Sequence, residues 1–177
     1  MKKTVLVFIM AVVISVSAFA DHPPGLGVGV VGQYDIAWDN YVRAPGVALS
    51  LKAPHLPIYW GLSLALRDNG FGISVIGDRY LIDSNLVREL NLGWYLGIGA
   101  YTGVFGYTGS ESGFSLRTGA RVPIGIYIFP VDFFEIFLDV APSLGLGVYL
   151  GDRGGRTFPI DFPDGGIGAD IGIRFWF

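Results

Sequence analysis

The sequence predicts an all-β chain folded as an eight-stranded antiparallel up-and-down transmembrane β-barrel, and three observations carry that expectation. Apolar residues recur at every second position through much of the chain, the 180° period of strands. Where the alternation is cleanest, one face holds large aliphatics and the other holds glycine, serine and a few charges. The N-terminus has the layout of an export leader. Composition agrees with this class: 51% of the 177 residues are hydrophobic, 15% are charged, and the 27 glycines follow no collagen-like period. The length suits one domain.

The leader comes first. Met1-Lys2-Lys3-Thr4 precedes an almost unbroken apolar stretch from Val5 to Val16, and Ser17-Ala18-Phe19-Ala20 supplies an Ala-x-Ala cleavage signal. Residues 1–20 are therefore expected to be a signal peptide, with residues 21–177 forming the barrel after cleavage behind Ala20. Removing Lys2 and Lys3 makes the mature chain more acidic than the formal net charge of −3 of the whole. A lipoprotein anchor would need a cysteine, and the chain has none.

Eight strands follow, at about 26–36, 46–52, 58–67, 70–80, 88–105, 113–128, 134–150 and 166–177. The first changes phase near Val30-Val31 and the fourth near Val75-Ile76, which predicts bulges. The second and third are short alternating runs, and the third ends at Asp68-Asn69-Gly70, a tight hairpin signal. In the fifth, Leu90, Leu92, Trp94, Leu96, Ile98 and Ala100 oppose Glu89, Asn91, Gly93, Tyr95, Gly97 and Gly99. The sixth sets Phe114, Leu116, Ala120, Val122, Ile124 and Ile126 against Ser115, Arg117, Gly119, Arg121 and Gly125. The seventh sets Ile136, Leu138, Val140, Leu144, Leu146 and Val148 against Glu135, Asp139, Ser143, Gly145 and Gly147. The eighth is the clearest: Ile167, Ala169, Ile171, Ile173, Phe175 and Phe177 share one face, with Gly168, Asp170, Gly172, Arg174 and Trp176 on the other.

The character of the two faces separates a membrane barrel from a soluble one. A soluble barrel fills its interior with large aliphatics and shows water a surface of Lys, Glu, Thr and Asn. Here the face opposite the aliphatics is rich in glycine, a poor solvent-facing strand residue that fits a crowded lumen. Continuous Leu, Ile and Val can then lie outside only if outside is lipid. An even strand number puts both termini on the periplasmic side, with inner connections near 53–57, 81–87 and 129–133 and outer loops near 37–45, 68–69, 106–112 and 151–165. Tyr59, Trp60, Phe133, Phe134 and Phe175 are expected to form an inner aromatic girdle, and Trp38, Tyr41, Tyr107 and Phe114 an outer one.

Several strings carry a resemblance: Pro57-Ile58-Tyr59-Trp60-Gly61, Gly77-Asp78, Arg121-Val122-Pro123-Ile124-Gly125, Ala141-Pro142-Ser143-Leu144-Gly145 and Gly172-Ile173-Arg174-Phe175-Trp176-Phe177. Together they resemble a family of small spirochaete-type outer-membrane barrels, broadly OmpA- and OmpW-like. The resemblance covers most of the mature chain and implies fold and outer-membrane location. It implies no activity and no catalytic residue.

Strand parity places Asp35, Lys52, Asp78, Glu89, Arg117, Arg121, Glu135, Asp139, Asp170 and Arg174 inside. Arg121 should lie near the level of Asp139 with Asp170 on the next strand, and Arg174 near the inner rim with Glu135 and Glu89. An eight-stranded barrel is just wide enough for side chains to fill it, so opposed charges are expected to form an ion-pair plug. The alternatives are a narrow porin-like channel for small solutes lined by Arg117, Arg121, Asp139 and Asp170, and a lateral opening for an apolar ligand.

Other chemistries lack their parts. Gly27-Val28-Gly29-Val30-Val31-Gly32 matches a dinucleotide fingerprint but sits in a strand pattern instead of opening a helix. Gly61-Leu62-Ser63-Leu64-Ala65 loosely resembles a nucleophile elbow without the strand-turn-helix or histidine partner. The two histidines, His22 beside the cleavage site and His55 in an inner connection, read as ordinary polar loop residues. No enzyme activity, cofactor or metal site is expected, and the acidic balance offers no footprint for nucleic acid. The expected partners are outer-membrane lipid, the assembly machinery that reads the C-terminal Phe177 strand, and an extracellular protein or small-molecule ligand at the cell surface. Trp38, Tyr41, Arg153, Arg156, Phe158 and Phe162 are the candidate loop contacts, with a monomer expected.

Overall fold

The computed structural model describes residues 22–37, 43–67, 70–107, 113–151 and 160–177. Among these described residues there are nine strands: β1 Gly27–Ala37, β2 Arg43–Lys52, β3 Tyr59–Arg67, β4 Gly70–Val87, β5 Leu92–Tyr107, β6 Gly113–Arg121, β7 Ile124–Val131, β8 Phe134–Gly151 and β9 Ile160–Trp176. All pairings are antiparallel, and β6 and β7 together occupy one wall position between β5 and β8. The ring closes where β1 meets β9, from Gly27 opposite Trp176 to Ala37 opposite Gly166. The result is an eight-position up-and-down barrel in which each wall strand is paired on both sides.

The break between β6 and β7 falls at Val122-Pro123, because proline cannot donate to a ladder. The wall stays hydrogen-bonded through it: Gly97 N–H donates to the Pro123 carbonyl at 2.8 Å, and Val122 N–H to the Pro142 carbonyl at 2.9 Å. Alternation keeps its phase across the break, with Arg121, Pro123 and Gly125 all buried.

Three boundaries differ from the sequence reading by four residues or more, while β2 starts three residues earlier, at Arg43, and β7 ends three later, at Val131. β4 runs on to Val87, so 81–87 is strand and not an inner connection; register shifts at Tyr80/Ile82 and Asn85/Val87 interrupt the parity that would have shown it. The chain then turns through a short 3-10 segment, Arg88–Leu90, closed by Asn91 in the left-handed region at φ 48°. β9 starts at Ile160, which makes 160–165 wall instead of loop. The bulges expected at Val30-Val31 and Val75-Ile76 are absent, since register is continuous there and Val31 and Ile76 are simply apolar side chains on the lumen face.

The hydrophobic side is outside at every wall position. Val30, Leu49, Leu62, Ile73, Val104, Leu116, Leu138 and Ile171, one from each, are between 47% and 60% exposed. The buried set is instead polar and aromatic: Lys52, Asp83, Arg121, Glu135, Asp139, Asp170 and Arg174, with Tyr59, Tyr95, Tyr127, Phe137 and Trp176. Such an inversion of the usual core is stable only against an apolar solvent.

Lumen glycines seat the rings. A Cβ on Gly125 would stand 2.5 Å from Tyr95 Cζ and 2.7 Å from Asp139 Cβ. Gly125→Val should therefore destabilise the barrel by about 1–3 kcal/mol through overpacking. Urea unfolding followed by heat-modifiable gel migration checks it, with Gly32→Ala unaffected because its nearest neighbour would be Ile171 Cγ2 at 3.6 Å.

Candidate functional site

The polar side chains of the lumen form three tiers. The innermost gathers around Glu135 on β8, whose exposure is 0%. Arg174 Nη1 donates to both of its oxygens, at 3.0 and 2.8 Å, and Trp176 Nε1 donates to Oε2 at 2.8 Å. The remaining guanidinium nitrogens of Arg174 donate to Ser50 Oγ at 3.2 and 3.0 Å. The guanidinium carbon also lies 4.7 Å from the Phe137 ring centroid and 4.9 Å from that of Tyr59. Antiparallel register puts Glu135 directly opposite Arg174, which explains why two residues 39 apart in sequence meet.

His22 completes this tier from the segment ahead of β1. Its imidazole Nδ1 lies 2.6 Å from Asp83 Oδ2, its Nε2 3.1 Å from Glu135 Oε1, and its backbone N–H donates to Asp83 Oδ2 at 3.2 Å. Tyr127 Oη donates to the other Asp83 oxygen at 2.9 Å. Burial alone would lower the pKa of His22, but hydrogen bonds and charge from Asp83 and Glu135 outweigh it, and the group titrates above its ordinary value. Beside this cluster stand tyrosines from successive wall strands, Tyr59 on Tyr80 and Tyr80 on Tyr95, each pair stacked at 4.0 Å.

The middle tier is one guanidinium among three carboxylates. Arg121 Nη2 donates to Asp170 Oδ2 at 3.1 Å and lies 3.7 Å from Asp139 Oδ1, while its Nε lies 3.4 Å from Asp78 Oδ1. Asp139 is also held by the Tyr95 hydroxyl, which donates at 2.6 Å. The outer tier borders a cavity of about 110 Å³, where Arg117 Nη1 lies 3.5 Å from Asp164 and Arg117 Nη2 donates to Tyr107 Oη at 3.1 Å. Asp35 lines the same cavity. Lys52 is buried at the rim of β2, its Nζ donating to the Ala53 carbonyl at 3.1 Å.

Of the sequence-derived lumen residues, Glu89 is the exception. It lies exposed on the inner 3-10 turn, because β4 is longer than its alternation suggested and the chain reverses at 88–91. Three further lumen residues, His22, Asp83 and Asp164, lie where the sequence predicts loop. Two girdle assignments also change. Tyr59 is 8% exposed and Tyr107 bonds to Ser115 and Arg117, so both belong to the lumen, whereas Trp60, Phe133, Phe114 and Phe175 are exposed on the outer surface. Among the candidate loop contacts Phe162 is 69% exposed on β9; Trp38, Tyr41, Arg153, Arg156 and Phe158 lie outside the described residues. The Gly27–Gly32 and Gly61–Ala65 strings are plain wall segments of β1 and β3.

No protein-family model matches the chain, and no curated protein matches its sequence. A solved structure does share its shape: the crystal structure of Neisserial surface protein A superposes with a TM-score of 0.53 at 10% identity, covering 86% of this chain and 96% of that one. At that identity the likeness concerns the fold alone, and the small eight-position β-barrel is what the two chains share.

Proposed function

We propose that the protein is an integral outer-membrane barrel, exported with cleavage after Ala20, whose lumen is held shut by ion pairs and which acts without catalysis through its outer loops. The observation that carries this reading is the inner half of the lumen. Arg174, Tyr95, Tyr127 and Glu135 are buried there at 0–2% exposure, which supports a closed inner lumen. The belt of exposed aliphatics supports insertion in lipid, and the C-terminal strand ending in Phe177 suits recognition by outer-membrane assembly machinery. Kinship with the spirochaete-type family belongs to the same proposal and rests on the strings around Arg121 and Gly172–Phe177, which here build the lumen wall.

Planar-bilayer recording on the folded barrel tests the plug. Silence is the expected outcome, with folding shown by heat-modifiable migration. Reproducible steps whose ion selectivity shifts in Arg121 and Asp139 variants would replace this reading with the narrow channel, which the outer cavity reaching Arg117 and Arg121 favours. The loop role predicts that surface binding is lost when 152–159 is replaced by a short turn, because that exchange stops before β9 and leaves Asp164 in the wall.

A further inference from the structure

The inner tier has the composition of a receptor for a cation. The barrel wall supplies Asp83 from β4 and Glu135 from β8, and Arg174 from β9 neutralises one of these two charges. Lys52 of β2, the other cation nearby, is turned to the Ala53 carbonyl. The second positive charge comes from no strand. His22 brings it, and both of its ring nitrogens meet a carboxylate oxygen, at 2.6 and 3.1 Å. Since a carboxylate only accepts, both nitrogens must donate, and the ring that satisfies this geometry is the imidazolium. Aromatic rings, tilted or edge-on to it, surround the imidazole. The Tyr127 centroid lies 4.1 Å away, with Tyr80 at 5.5 Å, Tyr59 at 5.7 Å and Trp176 at 5.9 Å. Tyr95 of β5 completes the ring of titratable neighbours at 6.1 Å. A desolvated cation held between two acids and ringed by aromatic side chains is an arrangement that selects organic cations.

We propose that the inner end of the lumen is a binding site for a planar organic cation with two N–H donors pointing apart, occupied in cis by the imidazolium of His22. The ligand class is imidazolium, amidinium or guanidinium. The N-terminal segment is then a tethered occupant, and a free cation of this class competes for or replaces it. The linkage sign follows: with its folded pKa raised, His22 contributes stability that is fully present below the ordinary histidine pKa and is lost as pH rises through the raised value.

Chemical rescue of His22→Ala tests the site. At pH 6 in detergent, the variant should melt several degrees below the wild type, and added imidazole, a cation at that pH, should restore at least half of the lost interval. Pyrazole, the uncharged isostere, should not. Equal rescue by both compounds would show a hole filled by shape alone and overturn the proposal, as would no rescue or an unchanged melting temperature. If the variant does not fold, the intact site decides. His55, the other histidine of the chain, lies in the exposed inner turn, and His55→Ala leaves His22 as the single histidine signal. Nitrogen-15 spectra of that protein at pH 7.5 should show both His22 nitrogens protonated, and a neutral tautomer at His22 sinks the idea. These readouts concern the cage and are independent of whether the bilayer conducts.

Discussion

Arg174→Met should destabilise the barrel by about 3–5 kcal/mol, the cost of breaking a buried ion pair by removing one partner. Methionine keeps most of the aliphatic stem but removes the guanidinium and its contacts over Phe137 and Tyr59, so the loss falls on charge, cation–π contact and hydrogen bonding. Glu135 would lose both hydrogen bonds from Nη1, at 3.0 and 2.8 Å, and keep Trp176 and His22. Ser50 would lose both of its guanidinium donors. A surface ion pair would contribute at most about 1 kcal/mol, but Arg174 and Glu135 are 2% and 0% exposed, and water cannot take over. Urea midpoints measured in lipid vesicles, with the slope checked for constancy, give the difference. A shift under about 1 kcal/mol would mean the guanidinium is replaceable at this position. The companion variant Arg174→Met/Glu135→Gln should recover part of the loss, because it leaves no uncompensated pair charge.

The barrel was legible because its parity is carried by two different signals at once. In Ile167–Phe177 the aliphatics mark the outside while glycine and charge mark the inside, so either signal alone would assign the face. Register then follows: with β8 and β9 joined antiparallel, Glu135 must face Arg174 and Asp139 must face Asp170. Legibility ends where a side chain's position is not set by parity. Asp83 follows the register shift after Tyr80, which restores it to the lumen one residue out of phase, and its polar neighbours Ser84 and Asn85 read as a turn. Glu89 fails for the same reason in reverse, since the strand that should have carried it inward begins only at Leu92. Pro163, Gly165 and Gly166 disguised the start of β9 as loop and Asp164 with it.

His22 lay beyond any periodic signal, because it precedes the first strand. Its trace in the sequence is indirect: tyrosines on the lumen side of β3, β4, β5 and β7, and an excess of acids over bases on that face. Hydroxyl-bearing rings are poor filler for a purely apolar plug, because each buried O–H needs a partner. Tyr95 and Tyr127 find theirs in Asp139 and Asp83, so the aromatic and ionic parts of the lumen are one network.

The middle tier should show this interdependence most plainly. Arg121→Leu leaves the buried Asp139 and Asp170 and the half-buried Asp78 without a cation between them and is expected to cost about 3–5 kcal/mol. Asp170→Asn alone should cost less, about 1–2 kcal/mol, since it weakens the 3.1 Å bond from Nη2 while relieving the acid excess around one guanidinium. The double variant is the informative one. If the three acids share Arg121, removing one acid lessens the repulsion that Arg121→Leu exposes, and the combined loss should fall short of the sum by about 1–3 kcal/mol. Additive losses would mean that Asp170 is bonded to Arg121 without being electrostatically coupled to its neighbours. Asp139 provides the internal contrast: Tyr95 donates to its Oδ2 at 2.6 Å, so Asp139→Asn also disturbs the tyrosine stack and should cost more than Asp170→Asn at equal charge change. That ordering separates a charge effect from a packing effect within one tier, because both aspartates approach the same guanidinium nitrogen and only one of them supports the stack beneath.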